Sequence, residues 1–237
     1  MRCRQAYNMN LQNLKIACYL YDRFTDYDQS YLDLANKYKN LDLNVNDQII
    51  DLIKWLRSWG CRQFKNDCED ISIFSIKDWY KTNSLKIPNN DCLIDYDLDK
   101  NKEKIIQIFD DLSNRFASNR KIKNKIIEVR IGPVGAAKIL FALRPNLFSP
   151  WDTPIYNHLK SEGNGSGYIM YLREIQENLK YLKIESERKS INWANIFTYL
   201  NREHNSHPKL IDEYFWVTIT KGCDTTSIEE IFNDKTA

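Results

Sequence analysis

The sequence predicts an all-α protein, a multi-helix orthogonal bundle containing a helix-hairpin-helix motif. Three observations carry this expectation. Apolar residues recur at three- and four-residue spacing through most of the chain, the period of a helix with one buried face. Only 7 Gly and 6 Pro occur in 237 residues, too few turn formers for a many-turned β fold. Hydrophobic residues make up 43% and aromatic residues 13%, enough to fill a sizeable core.

In chain order, residues 10–24 read as a helix with Leu11, Leu14, Cys18 and Tyr21 on one face. A second, short helix covers 31–38. Asn46 or Asp47 caps a third, in which Ile49, Ile53 and Leu56 line one face and Gly60 ends the helix. Residues 67–101 are the least regular: a helical turn at 75–79, a loop at 81–92 and an acidic solvated turn at 95–100. A strong helix follows over 102–117, with Ile105, Phe109, Leu112 and Phe116 in one stripe. Gly163, Gly165 and Gly167 mark a flexible loop, and 168–181 and 192–200 read as helices. Pro208 opens a last helix whose aromatic, β-branched end, YFWVTIT, also fits a strand. One domain is expected over 1–223, with a frayed tail at 224–237. No internal repeat and no Pro- or Ser-rich linker divides it.

Residues 124–160 organise the rest. Lys125, Ile126, Ile127, Val129 and Arg130 read as a short amphipathic helix, broken by Gly132, Pro133, Val134 and Gly135. Strong helix formers restart the helix at Ala136 and carry it to Arg144, before Pro145. Asp152 or Thr153 then caps another helix, with Pro154 in its first turn.

This layout resembles the endonuclease III-like helix-hairpin-helix DNA glycosylases. The matching segments are GPVG at 132–135 and WDT at 151–153, within a helix-hairpin-helix region of 121–160. The resemblance implies that the hairpin touches a DNA backbone and that Asp152 acts at the sugar. It also implies that a polar segment upstream lines the pocket for an extruded base, which by chain position would be Trp59, Arg62 and Gln63. The iron–sulfur cluster that some such enzymes carry needs four close C-terminal cysteines. Only Cys223 lies in that region, so no cluster is expected.

Each of these residues also has a plainer reading. Glycines let a backbone turn tightly and approach a phosphate, and the free N–H groups of the following helix favour an anion. On that reading Gly132, Val134, Gly135, Ala136 and Lys138 grip DNA; otherwise they form a turn between core helices. Pro133 stands where the family has glycine and removes one donor. Asp152 is either an ordinary N-cap or a carboxylate that stabilises charge developing on deoxyribose. Trp151 and Tyr156 are core aromatics or surfaces on which a base stacks. Trp59 and Phe64 equally fit a core.

Aligning Gly135 with the family's last hairpin glycine puts Ala137 where bifunctional members carry a Schiff-base lysine. Lys138 is one residue, roughly 100°, further round the helix. The resemblance therefore implies a monofunctional enzyme.

The net charge of +2 implies no partner by itself. Between Arg115 and Arg144, however, eight cations face one acid, Glu128. Lys121, Lys123 and Arg130 belong to this run and are read as contacts to duplex DNA.

The six cysteines form no CxxC pair or zinc spacing, and the three histidines show no ligand pattern, so neither metal nor cofactor is expected. No apolar run long enough to span a membrane occurs, nor one resembling a signal peptide. The expected setting is cytoplasmic. Three readings stand: a monofunctional glycosylase, a non-catalytic DNA-binding module, or an all-α interaction protein.

Overall fold

The computed structural model describes residues 9–88, 91–123 and 125–234. Cys3, positions 89–90 of the expected loop, position 124 and the last three residues of the tail lie outside them.

The chain is mostly helical, with one small two-stranded sheet. Asn10 starts α1 (Leu11–Phe24) by accepting the Asn13 amide at 2.8 Å. After α2 (Tyr27–Lys37) comes α3 (Asn46–Ser58), closed by Gly60 at φ +79°, a conformation that costs glycine nothing. α4 (Glu69–Asn83) occupies most of the stretch expected to be irregular. Its buried face is built from Ser72, Ser75, Ile76, Trp79 and Asn83, so polar residues hide its period.

Asp97 caps α5 (Leu98–Asn114), accepting from the Lys100 amide at 2.9 Å. This helix begins inside the expected acidic turn and stops three residues short of the expected end. Phe116 and Ala117 belong instead to β1 (Phe116–Ile122), which pairs antiparallel with β2 (Lys125–Arg130). A strand thus replaces the helix expected before Gly132. Ile126, Ile127 and Val129 are β-branched; they lose rotamer freedom in a helix and keep it on a pleated ribbon. The glycine turn and its second helix are present, but the described residues do not form a complete helix-hairpin-helix motif.

Gly132, at φ +69°, makes the sharp exit from β2 into α6 (Gly132–Leu143). α6 is apolar nearly all round and is accordingly buried, packed against α3 and α5. Phe141 on α6 meets Tyr31, Trp55 and Trp59, with ring centroids 4.8–6.5 Å apart. Burial of each such side chain contributes about 1.5–3 kcal/mol. A second aromatic group, Phe109, Trp151, Tyr168 and Tyr171, joins α5 to the loop before α7 (Thr153–His158) and to α8 (Gly165–Arg188).

The expected flexible loop at 163–167 is largely the first turn of α8. Asn164 caps it, and the Gly165 amide donates to Asp110 Oδ1 at 2.6 Å. Here glycine serves close packing: a Cβ on Gly165 would lie 2.7 Å from the Ile106 carbonyl oxygen on α5. After α9 (Ile196–Leu200), α10 (His207–Phe215) runs on into a π-helical turn, Trp216–Thr220, where a helix or strand end was expected. The stretch expected to be frayed forms α11 (Thr225–Asp234), which packs on α1.

No helix among the described residues is long and apolar enough to cross a membrane. Replacing Gly165 by Ala drives a methyl into main-chain atoms that cannot move aside. We expect a loss of about 1–3 kcal/mol in urea unfolding, although Ala is the better helix former.

Candidate functional site

Asp152 is held at the start of α7, where its Oδ1 accepts the Ile155 amide at 3.2 Å. The same carboxylate receives a second donor from far along the chain. Thr220 Oγ1 lies 3.0 Å from Oδ2 and 3.2 Å from Oδ1. Thr220 reaches it because the π turn carries it there; single π turns inside α-helices are frequent at functional sites.

The half-buried Asp152 faces an open cleft of about 390 Å³, within the range of small-molecule sites. Burial raises the Asp152 pKa above the usual carboxylate value, while the Ile155 amide, the Thr220 hydroxyl and the Lys138 charge pull it down.

The cleft gathers residues from distant parts of the sequence. Trp59, Arg62 and Gln63 line it from the turn after α3, Val134 and Lys138 from α6, and Trp151 from the loop before Asp152. Trp151 is buried and donates its indole N–H to the Pro133 carbonyl at 3.0 Å, tying the loop to the glycine turn. Gln63 Nε2 donates to the Ile131 carbonyl at 2.7 Å. Arg62 is exposed at the rim. Tyr156 packs behind Trp151, centroids 5.1 Å apart, and does not line the cleft.

The glycine turn differs from the expected phosphate grip. Gly135 and Ala136 are buried, and only Gly132, Pro133 and Val134 are partly exposed. Lys138 points inward: its ammonium donates to the Trp59 carbonyl at 2.5 Å and sits 5.6 Å from the Trp59 ring centroid. The registry shift that was expected to take this lysine away from Asp152 instead leaves it lining the same cleft. Lys121, Lys123 and Arg130 lie on the β-hairpin, away from the cleft lining.

Several cleft residues were not foreseen. Tyr21, Tyr27 and Trp216 add aromatic walls, and Asp212 adds a second carboxylate. The only advance signal for Asp212 was an acid on the apolar-patterned helix after Pro208.

No family model, curated protein or solved structure matches this chain.

Behind Asp212 lies a charge cluster. Lys209 is fully buried, its ammonium 3.0 Å from Asp212 Oδ2, 3.5 Å from Glu213 Oε1 and 3.9 Å from Asp28 Oδ1. It also sits 4.1 Å from the Tyr21 ring centroid. Arg202 completes the group, 2.9 Å from Glu213 Oε2 and 3.4 Å from Asp28 Oδ2. Two cations thus serve three carboxylates, and burial makes the third negative charge costly. Burial pushes Asp212 up to about 6 and Glu213 up to about 7, with Lys209 pulling both down. Between about pH 4 and 7 the folded chain therefore holds more protons on these groups than the unfolded chain. Their contribution makes stability fall as pH rises through that window. No group of three or more His, Cys, Asp or Glu residues suited to a metal ion occurs among the described residues.

Truncating Glu213 to Ala leaves Lys209 and Arg202 under-compensated inside the fold; a loss of about 3–5 kcal/mol is expected in denaturant unfolding. Thr220→Val removes a donor to the ionised form of Asp152, so the Asp152 pKa should rise further. Carboxyl-detected NMR titration of the two proteins measures this directly.

Proposed function

We propose that the protein binds duplex DNA and hydrolyses the N-glycosidic bond of a damaged or modified base, as a monofunctional enzyme of the helix-hairpin-helix glycosylase type. The observation that carries the reading is the convergence, in one cleft, of a buried-side carboxylate, a lysine and aromatic walls drawn from segments about ninety residues apart in sequence. Trp59, Arg62 and Gln63 were assigned to a base pocket, and Asp152 to the chemistry, on independent grounds; they face the same space.

In the proposed reaction an extruded nucleotide enters the cleft and its base lies against the rings of Trp59, Tyr27 and Trp216. The bond from C1′ to the base nitrogen breaks and its electron pair leaves with the base. Asp152, ionised and held by Ile155 and Thr220, stabilises the positive charge that develops on the sugar. It then takes a proton from the water that adds to C1′. Asp212, with its raised pKa, is the nearer candidate to hand a proton to the departing base. Lys138 is engaged with the Trp59 carbonyl and serves as a fixed positive charge that keeps Asp152 ionised.

A second reading takes its support from the strand that stands where the family has its first hairpin helix. It is a non-catalytic DNA-binding module that recognises an extruded or missing base without cleaving anything.

The test is binding to a short duplex carrying an abasic-site analogue, compared with the intact duplex at two salt concentrations, followed by a lesion panel. The enzyme reading expects preference for the abasic duplex and base release that falls at least 100-fold in Asp152→Asn. Borohydride should trap no covalent complex; trapping would make Lys138 a nucleophile. Preference without release from any lesion supports the module, and no duplex binding removes both.

A further inference from the structure

We infer that the β1–β2 hairpin is a ribbon that enters the major groove of a nucleic-acid duplex beside the cleft, with its cations on the phosphates and its isoleucines against the base edges. The inference rests on the reading of the chain as a duplex-binding protein and adds an element to it.

The base of the hairpin is anchored. Ala117 and Ser118 are fully buried, and Ser72 Oγ on α4 donates to the Ala117 carbonyl. Lys65 Nζ holds the Asn119 carbonyl at 2.9 Å, and the Ile131 amide holds that of Arg115 at 2.7 Å. Beyond Asn119 the ribbon is exposed on both faces. Its outer part carries three cross-strand pairs: Arg120 with Ile127, Lys121 with Ile126, and Ile122 with Lys125. Each is one cation beside one isoleucine. Lys123, at φ +43°, adds a further cation in the turn.

The isoleucines are open to solvent, Ile126 at 73%, Ile127 at 45% and Ile122 at 43%. No described residue forms a side-chain hydrogen bond or ion pair with Arg120, Lys121, Lys123 or Lys125. The fold thus displays three large apolar side chains and four uncompensated cations on one projecting element.

The dimensions fit a groove. Three residue pairs extend about 10 Å, and the major groove is about 8.5 Å deep and about 12 Å wide, enough for a two-stranded ribbon. Cations sit on both strands and in the turn, which suits phosphates on both walls.

The pattern does not suit a lipid surface. Cross-strand partners share a face, so Ile122 and Ile127 lie on one face and Ile126 on the other. Neither face is apolar, and inserting the tip would bury Lys123 and Lys125 in hydrocarbon. The hairpin runs directly through Ile131 into Gly132 and α6, whose first turns line the cleft. A duplex held on the ribbon therefore lies next to Asp152.

The test uses the full chain and a fluorescent 20-base-pair duplex. Two exposed-face variants are compared with wild type: Arg120→Gln/Lys121→Gln/Lys123→Gln/Lys125→Gln, and Ile126→Ser/Ile127→Ser. Helical circular dichroism controls for folding. The first variant should flatten the plot of log affinity against log salt by about 3–4, at roughly 0.9 per lost phosphate contact. The second should keep the wild-type salt slope and bind on the order of ten-fold more weakly, from lost apolar burial. Wild type should also protect guanine N7 from methylation in the bound duplex, which reports major-groove occupancy.

An unchanged slope in the first variant, unchanged affinity in the second, or unprotected N7 overturns the inference. So does a preference for the single strand, or for phosphatidylserine vesicles, that these variants abolish. Wild type that binds no duplex refutes the function proposed above together with this inference. Base release that persists with unaltered binding in both variants refutes the hairpin alone. Hairpin-dependent binding without base release keeps the hairpin and removes the glycosylase.

Discussion

The ammonium of Lys209 is the fixed point of the half of the molecule that contains the cleft. A lysine with no solvent contact is tolerated only where carboxylates surround it, since an unpaired buried charge would ionise elsewhere or unfold its site. That requirement gathers Asp28 from α2, Asp212 and Glu213 from α10 and, through Glu213, Arg202 from the loop before it. The rings of Tyr21 and Trp59 close over the same ammonium. Three cleft walls are therefore positioned by one charge: Tyr21, Trp59 and Asp212 owe their places to it.

The opposite wall is held by ordinary main-chain chemistry. Trp151 is tied to Pro133, and Gln63 to Ile131, so the loop carrying Asp152 and the turn after α3 both hang on the glycine exit from β2. The cleft lies between an electrostatic anchor and a hydrogen-bonded one. Lys138 stands between the two, reaching Trp59 on one side and lowering the pKa of both Asp152 and Asp212 on the other.

Strongly periodic segments were readable from sequence. The apolar stripes of α1, α3, α5 and α8 and the capping role of Asp152 all correspond to the structure. So was the company Asp152 keeps on the near side of the cleft, through Trp59, Arg62, Gln63 and Trp151. What escaped had physical reasons. In β2 the adjacent Ile126 and Ile127 break strict alternation, so a pairing that depends on β1 looked like a helical face. α4 hides serines and an asparagine on its buried side, which removes its apolar period. The glycines at 163–167 are the signature of a loop when read alone, and only the approach of α5 makes them a packing surface. Asp212 and Thr220 were invisible because their meaning depends on contacts 60 or more residues away.

The π turn at Trp216–Thr220 has a consequence for how this molecule tolerates change in length. Such a turn holds one residue more than the α-helical course would use, and local helix geometry is better without it. Deleting a single residue there would relieve the backbone while rotating everything beyond it by roughly 100°. Thr220 would leave Asp152, and α11 would lose its seat on α1. The chain therefore carries, in one surplus residue, a site geometry that a shorter and locally more regular helix would erase.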